Sequence, residues 1–294
     1  MTCPCLRETH VQRCSAAGFR KMILEALVAG SEKCTSPAFK TCPVWERNGV
    51  PDPPFATCPF LEKPAVQYCA ASATPRYVPW SEHSFSKCGG SGHCYCELYL
   101  ALAGAGRPDP EDTVEDLSFP RRLSYTNNHM WLDRAEDGCW HAGIDALLAR
   151  ALGTVERIVF ISTAGHQCPN AVVTTASGME LPLLFPHRLR ITGCNLHLRA
   201  DPARLTESPY SFGWLFEGEG CTVPPPELLS GERDRQWFSD EIDRLNRFAH
   251  QQVGAMGAPA DGGGIAPGAM VQLGREAGWQ IYNDFFSPCA GGQQ

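Results

Sequence analysis

Residues 127–153, "NNHMWLDRAEDGCWHAGIDALLARALG", decide the fold. Two short runs of β character, "HMWLDR" and "CWHAGI", lie on either side of turn-forming residues. "DALLARALG" then predicts a helix, with Asp145 as N-cap and Gly153 just past its end. Downstream the same β character returns in "RIVFIS", "AVVTT", "LPLLF", "RLRITG" and "SFGWLFEG", again with turn residues between the runs. After "VPPPE" the spacing changes to that of an amphipathic helix, "ERDRQWFSDEIDRLNRFAHQQ", whose apolar face is Trp237, Phe238, Ile242, Leu245 and Phe248. "GAMGAPADGGGIAPGA" is a connector, and "MVQLGREAGWQIYNDFFSP" predicts a short closing helix.

Upstream the chain is of another kind. "CPCLRETHVQRC" (residues 3–14) returns as "CPFLEKPAVQYC" (residues 58–69), and the register extends to further cysteines. The two sets run C-x10-C-x19-C-x7-C through Cys3, Cys14, Cys34 and Cys42, and C-x10-C-x18-C-x7-C through Cys58, Cys69, Cys88 and Cys96. Lys33 and Lys87 precede the third cysteine of each set, so this is a tandem duplication with a unit of about 54 residues. The helical spacing of "VQRCSAAGFRKMILEALVAG" and "HCYCELYLALAGAG" predicts a mainly helical cysteine-rich region.

The expected organisation has five parts. They are a duplicated four-cysteine metal-binding domain over 1–104 (copies about 3–45 and 58–99), an acidic, proline-bearing linker over 105–118, and a β domain over 119–218. The amphipathic helix follows over 229–252, then the glycine-rich connector and short closing helix over 253–294. The fold class is a multidomain α+β chain.

Composition narrows the function. A net charge of −7 and a pI near 5.7 argue against bulk nucleic-acid or acidic-membrane binding. No run approaches the length of a membrane span, and "MTCPCLRETHVQRC" lacks the build of a signal peptide, so a cytoplasmic protein is expected. In a reducing compartment a cysteine framework points to metal rather than to disulfides. Ten of the fifteen cysteines precede residue 97, which makes that need local. Cys139, Cys168, Cys194, Cys221 and Cys289 stand singly and read as small buried hydrophobes.

Around the opening stretch the chain resembles the glycine cleavage system H protein family. The resemblance rests on His129, Trp131, Gly143, Ile144, Ala151, Leu152 and Gly153, and on Asn195, Pro202, Pro209, Tyr210, Gly213, Trp214 and Leu215 in the same order. It implies a flattened β-barrel of the lipoyl-domain, barrel-sandwich type. It also implies a hairpin whose tip carries lipoic acid on a lysine within a Glu-Ser-x-Lys type of motif. Here the corresponding segment, "AVVTTASGMELPLLFP" (171–186), has Ala176, Ser177 and Gly178 near that position and no lysine; none occurs anywhere after Lys87. Arginine cannot replace it, because amide formation needs an amine that can lose its proton. No lipoate and no aminomethyl carriage are therefore expected. What the resemblance leaves is a surface on which a protein partner docks.

Three chemistries compete for the cysteines. Two iron–sulfur centres, one per four-cysteine set, are favoured, since duplicated four-thiolate units suit them. Two structural zinc sites are the alternative, although the closest pairs, Cys3/Cys5 and Cys94/Cys96, are tighter than the usual zinc knuckle. His10, His83 or His93 could replace one ligand. Disulfides come third, and Cys5 and Cys94 fall outside the repeat register. "SFSK" (84–87) lacks the companion motifs of acyl-serine enzymes, and "ADGGGIAPG" follows no strand and holds no lysine, so no catalytic constellation emerges. The expected function is a docking domain fused to a two-centre redox domain, for electron transfer or redox sensing with a protein partner. The alternative is a zinc-stabilised adaptor without redox chemistry.

Overall fold

The computed structural model describes residues 2–16, 23–24, 32–48, 56–74, 76–78, 87–103, 112–225, 228–229, 232–255 and 266–288. The chain divides into two units, Met1–Gly90 and Ser91–Gln294.

The first unit is built mostly of strand. Its strands are β1 (Leu6–Cys14), β2 (Ile23–Leu24), β3 (Leu61–Glu62), β4 (Ala65–Cys69) and β5 (Arg76–Val78). The helices α1 (Glu32–Thr35) and α2 (Pro43–Asn48) are only four and six residues long. The expectation of a mainly helical cysteine-rich region is thus corrected. "VQRC" closes β1 and its copy "VQYC" forms most of β4. The reason is tertiary: β1 runs antiparallel to β4 from Leu6↔Cys69 to His10↔Ala65, so each copy's backbone finds its hydrogen-bonding partner in the other copy. Helical spacing within one copy is a weak prior against such pairing. The rest of the expected helix, residues 17–22 and 25–30, lies outside the described residues. A small core forms where Phe39 meets Trp45 edge-on at 4.9 Å, with Cys58 buried beside them. Cys34, Cys42, Phe60 and Leu61 pack around that nucleus.

The second unit carries the expected strands. It opens with α3 (Glu97–Ala103) and a hairpin of β6 (Thr113–Val114) and β7 (Leu117–Ser118), and continues with β8 (Ser124–Tyr125), β9 (Met130–Arg134) and β10 (Trp140–Ile144). Then come α4 (Ala146–Leu152), β11 (Val155–Phe160), β12 (Gly165–Gln167), β13 (Asn170–Thr175), β14 (Glu180–Leu184), β15 (Leu189–Cys194), α5 (Arg204–Glu207) and β16 (Phe216–Glu219). Six strands form an antiparallel sheet in the order β12-β15-β16-β10-β9-β8, and three form a second, β11-β13-β14. Alternation sorts the side chains: in β13 Ala171, Val173 and Thr175 are buried while the residues between them are half-exposed. The inward faces of both sheets share one core, and Phe160 meets Phe216 between them at 5.5 Å. This is the expected barrel-sandwich architecture.

Helices close the unit: α6 (Glu232–Ala255), α7 (Ala269–Gln272) and α8 (Arg275–Ile281). Helix α6 buries Phe238, Ile242 and Leu245, with Phe238 stacked on Phe119 at 4.5 Å. Among the described residues no helix is long and apolar enough to cross a membrane.

One polar chain runs through this apolar packing. Asp145 caps α4, its Oδ1 accepting the Leu148 N–H at 2.9 Å. Its Oδ2 lies 2.6 Å from His129 Nδ1, both side chains being fully buried. His129 Nε2 faces Glu241 Oε2 of α6 at 3.7 Å, and Trp237 stacks on the imidazole at 4.9 Å. Burial opposes charging of His129, but the Asp145 carboxylate and then Glu241 outweigh it and raise the pKa from 6.5 to about 9. Burial likewise opposes ionisation of Glu241, yet His129 and Arg244 lower its pKa.

The His129 pKa is raised on folding, so this stabilisation is complete below about pH 6.5 and lost as pH rises through about 9. The Glu241 pKa is lowered, so its contribution is present above about 4.5 and lost as pH falls below that value. Denaturant unfolding across pH should show the alkaline loss in the wild type and not in His129→Gln. That variant leaves Asp145 buried without its cation and should cost about 3–5 kcal/mol at neutral pH.

Candidate functional site

The hairpin of β13 and β14 places Ala176, Ser177 and Gly178 at its exposed tip. Register brings Thr174 opposite Glu180, and the Gly178 N–H donates to the Thr175 carbonyl at 2.8 Å while the Thr175 N–H donates to that of Met179 at 3.0 Å. Gly178 sits at φ +75°, a conformation glycine adopts without strain. Thr175 and Met179, fully buried, anchor the two sides of the turn. The turn is closed by these hydrogen bonds, and its tip carries only a methyl, a hydroxyl and a bare backbone.

Beside the tip lies a cleft of about 620 Å³, lined among others by Asp116, Arg150, Ala176, Tyr210 and Gln272. Tyr210 is held in its lining by two hydrogen bonds. Its hydroxyl donates to the Ser118 carbonyl at 2.9 Å and accepts the Ala146 N–H at 2.9 Å, and burial followed by the Asp145 charge raises its pKa well above the usual value. Gly153 ends α4 on the same side at φ +65°, its N–H donating to the Ala149 carbonyl at 3.1 Å. A Cβ there would come within 2.5 Å of Gly268 Cα, so helix α7 depends on the bare backbone at Gly153.

The residues that carry the family resemblance fasten this frame. Asn195 Nδ2 donates to the carbonyls of Phe212 (2.8 Å) and Trp214 (2.9 Å), Trp131 Nε1 donates to that of Pro209 (3.2 Å), and the Leu215 N–H donates to that of Ala142 (2.8 Å). His129 and Asp145 belong to the buried polar chain. Glu241 was missed by the sequence reading, although a carboxylate on the Phe238–Ile242–Leu245 side of α6 is the signal that marks it.

Among the described residues no three histidine, cysteine, aspartate or glutamate side chains are arranged around one metal ion. The backbone nevertheless gathers some of the cysteines. The Cys58 N–H donates to the Cys34 carbonyl at 2.8 Å, and Cys42 packs with both around Phe39. Cys14 stands opposite Leu61 in the β1–β3 register. Burial, then the neighbouring Cys58, Cys42 and Cys14, raise the pKa of the Cys34 thiol. At the other end of β1, Leu6 pairs with Cys69, and the Cys3 N–H donates to the Cys88 carbonyl at 2.8 Å. Cys96 belongs to the second unit, where its N–H closes the turn before α3 on the His93 carbonyl at 3.0 Å. Cys94 is exposed and Cys5 half-buried. His83 and Cys289 lie outside the described residues.

No family model matches the chain. The glycine cleavage system H protein of Streptomyces coelicolor is 35% identical over 124 residues, which are 40% of this chain and 94% of that protein. That of Streptomyces avermitilis is 31% identical over 121 residues, with the same coverage. A crystal structure of a glycine cleavage system H protein from Mycobacterium marinum aligns at 26% identity over 39% of this chain and 94% of that one, with a TM-score of 0.32. Through two-fifths of its length, the chain belongs to the glycine cleavage system H protein family.

Gly153→Ala should strain the α4 terminus and displace α7. A loss of about 1–3 kcal/mol is expected, read as a lowered Tm, with Ala149→Gly as a comparison that leaves the contact with Gly268 intact.

Proposed function

We propose that the second unit is a docking domain of the H-protein type that carries no lipoyl group. On this reading the cysteine-rich copies hold two thiolate metal centres, iron–sulfur in preference to zinc, for electron transfer or redox sensing with a protein partner. The observation that carries the first half is the hairpin tip. Ala176, Ser177 and Gly178 occupy the exposed turn where the family resemblance implies a modified lysine, and no side chain there can form the amide. A barrel kept intact around an empty tip retains the surface by which a partner recognises it. The second half rests on the cysteine count and its duplication.

One observation favours zinc as a second reading. Among the described residues, the buried hydrophobic side chains of the first unit are Cys3, Val11, Phe39, Trp45, Cys58 and Cys69, and so small a core is commonly completed by a structural metal.

Two measurements test these statements. Coexpression with a lipoate-attaching enzyme should leave the intact mass of the chain unchanged; a lipoyl increment would overturn the docking-only reading. Anaerobic purification should yield a coloured protein with iron and sulfide in equal amounts. A colourless protein with about two zinc ions per chain would replace the redox role by the adaptor.

A further inference from the structure

The sequence register groups the cysteines copy by copy: Cys3, Cys14, Cys34 and Cys42, then Cys58, Cys69, Cys88 and Cys96. The fold of the first unit groups them otherwise. Because β1 and β4 are equivalent strands paired antiparallel, the beginning of each copy lies against the end of the other's strand. Cys14 ends β1 opposite Leu61, and the Leu61 N–H donates to the Cys58 carbonyl at 3.1 Å. Cys58 in turn is tied by its N–H to the Cys34 carbonyl at 2.8 Å, and Cys34, Cys42 and Cys58 share the cluster around Phe39 and Trp45.

The other copy repeats this with the roles exchanged. Cys69 stands opposite Leu6, the Leu6 N–H donates to the Cys3 carbonyl at 3.0 Å, and the Cys3 N–H donates to the Cys88 carbonyl at 2.8 Å. These hydrogen bonds join residues that the repeat makes equivalent, so the two halves are related by an approximate two-fold axis.

We propose that the copies exchange their first cysteines, so that Cys14, Cys34, Cys42 and Cys58 form one four-thiolate metal centre and Cys3 joins Cys69 and Cys88. The inference rests on the reading that these cysteines bind metal, and it changes which of them bind together. Cys34 has the other three thiols as its electrostatic neighbours. As folded here no three of these thiols surround one point, so closing on a metal requires their side chains to rearrange on backbones held by strand register and hydrogen bonds. On binding Zn²⁺, four S–H bonds break, four protons pass to solvent and four S–Zn bonds form, with no change of oxidation state. An iron–sulfur cluster would be held by the same four thiolates.

Two double variants of the full chain separate the groupings, read as metal per chain against the wild type. With exchanged cysteines, Cys14→Ser/Cys58→Ser loses one centre and keeps the other, while Cys3→Ser/Cys14→Ser damages both. The reverse pattern would overturn the exchange and leave the metal reading standing. Zinc in place of iron and sulfide, with the exchanged pattern kept, would overturn the redox role and support the grouping. A wild-type chain without metal overturns the centre itself.

Where a variant does not fold, the metal-stripped wild type is oxidised with diamide, which takes up the two electrons and two protons released per disulfide formed, and is mapped by peptides. Linkage of Cys58 to Cys14, Cys34 or Cys42 supports the exchange. Linkage of Cys58 only to Cys69, Cys88 or Cys96 sinks it.

Discussion

The Asp145 carboxylate joins two elements of the second unit on which a third is laid. One oxygen caps α4 and the other binds the buried His129, so a single side chain ties the helix to the strand that follows His129. The imidazole then serves as the floor for α6, with Trp237 stacked on it and Glu241 facing its far nitrogen. A charged histidine without solvent needs a compensating partner, and here Asp145 and then Glu241 supply it from two different elements. This couples helix capping, sheet geometry and closure by the C-terminal helix in one contact chain.

The barrel around it is fastened by side-chain hydrogen bonds to backbone, and its hairpin tip holds no lysine. Asn195, Tyr210 and Trp131 tie irregular backbone to the sheets through hydrogen bonds at 2.8–3.2 Å. The turn at Ala176–Gly178 stays tightly closed. Thr175 and Met179, both fully buried, anchor the hairpin in the core while its tip stays exposed.

Much of the second unit is legible in sequence because its physics is local. Strands such as Asn170–Thr175 announce themselves by alternation, α4 by its aspartate cap and terminal glycine, and α6 by its apolar stripe. The hairpin tip was legible as well, since the absence of a lysine is a property of composition. The first unit was not. The backbone partner of Leu6 is Cys69, more than sixty residues away, and no periodicity within "VQRC" reports it.

The sequence by itself determined that the cysteine segment is duplicated, that the barrel lacks an acylable lysine and where most barrel strands run. These follow from residue identity and short-range patterning. Only the tertiary structure decided that the copies pair through antiparallel strands, that Cys58 lies with Cys34 and Cys42, and that Glu241 reaches His129. Each of these depends on a contact between residues far apart in the chain, and such contacts are chosen by the burial and hydrogen bonding of the whole fold rather than by any one segment.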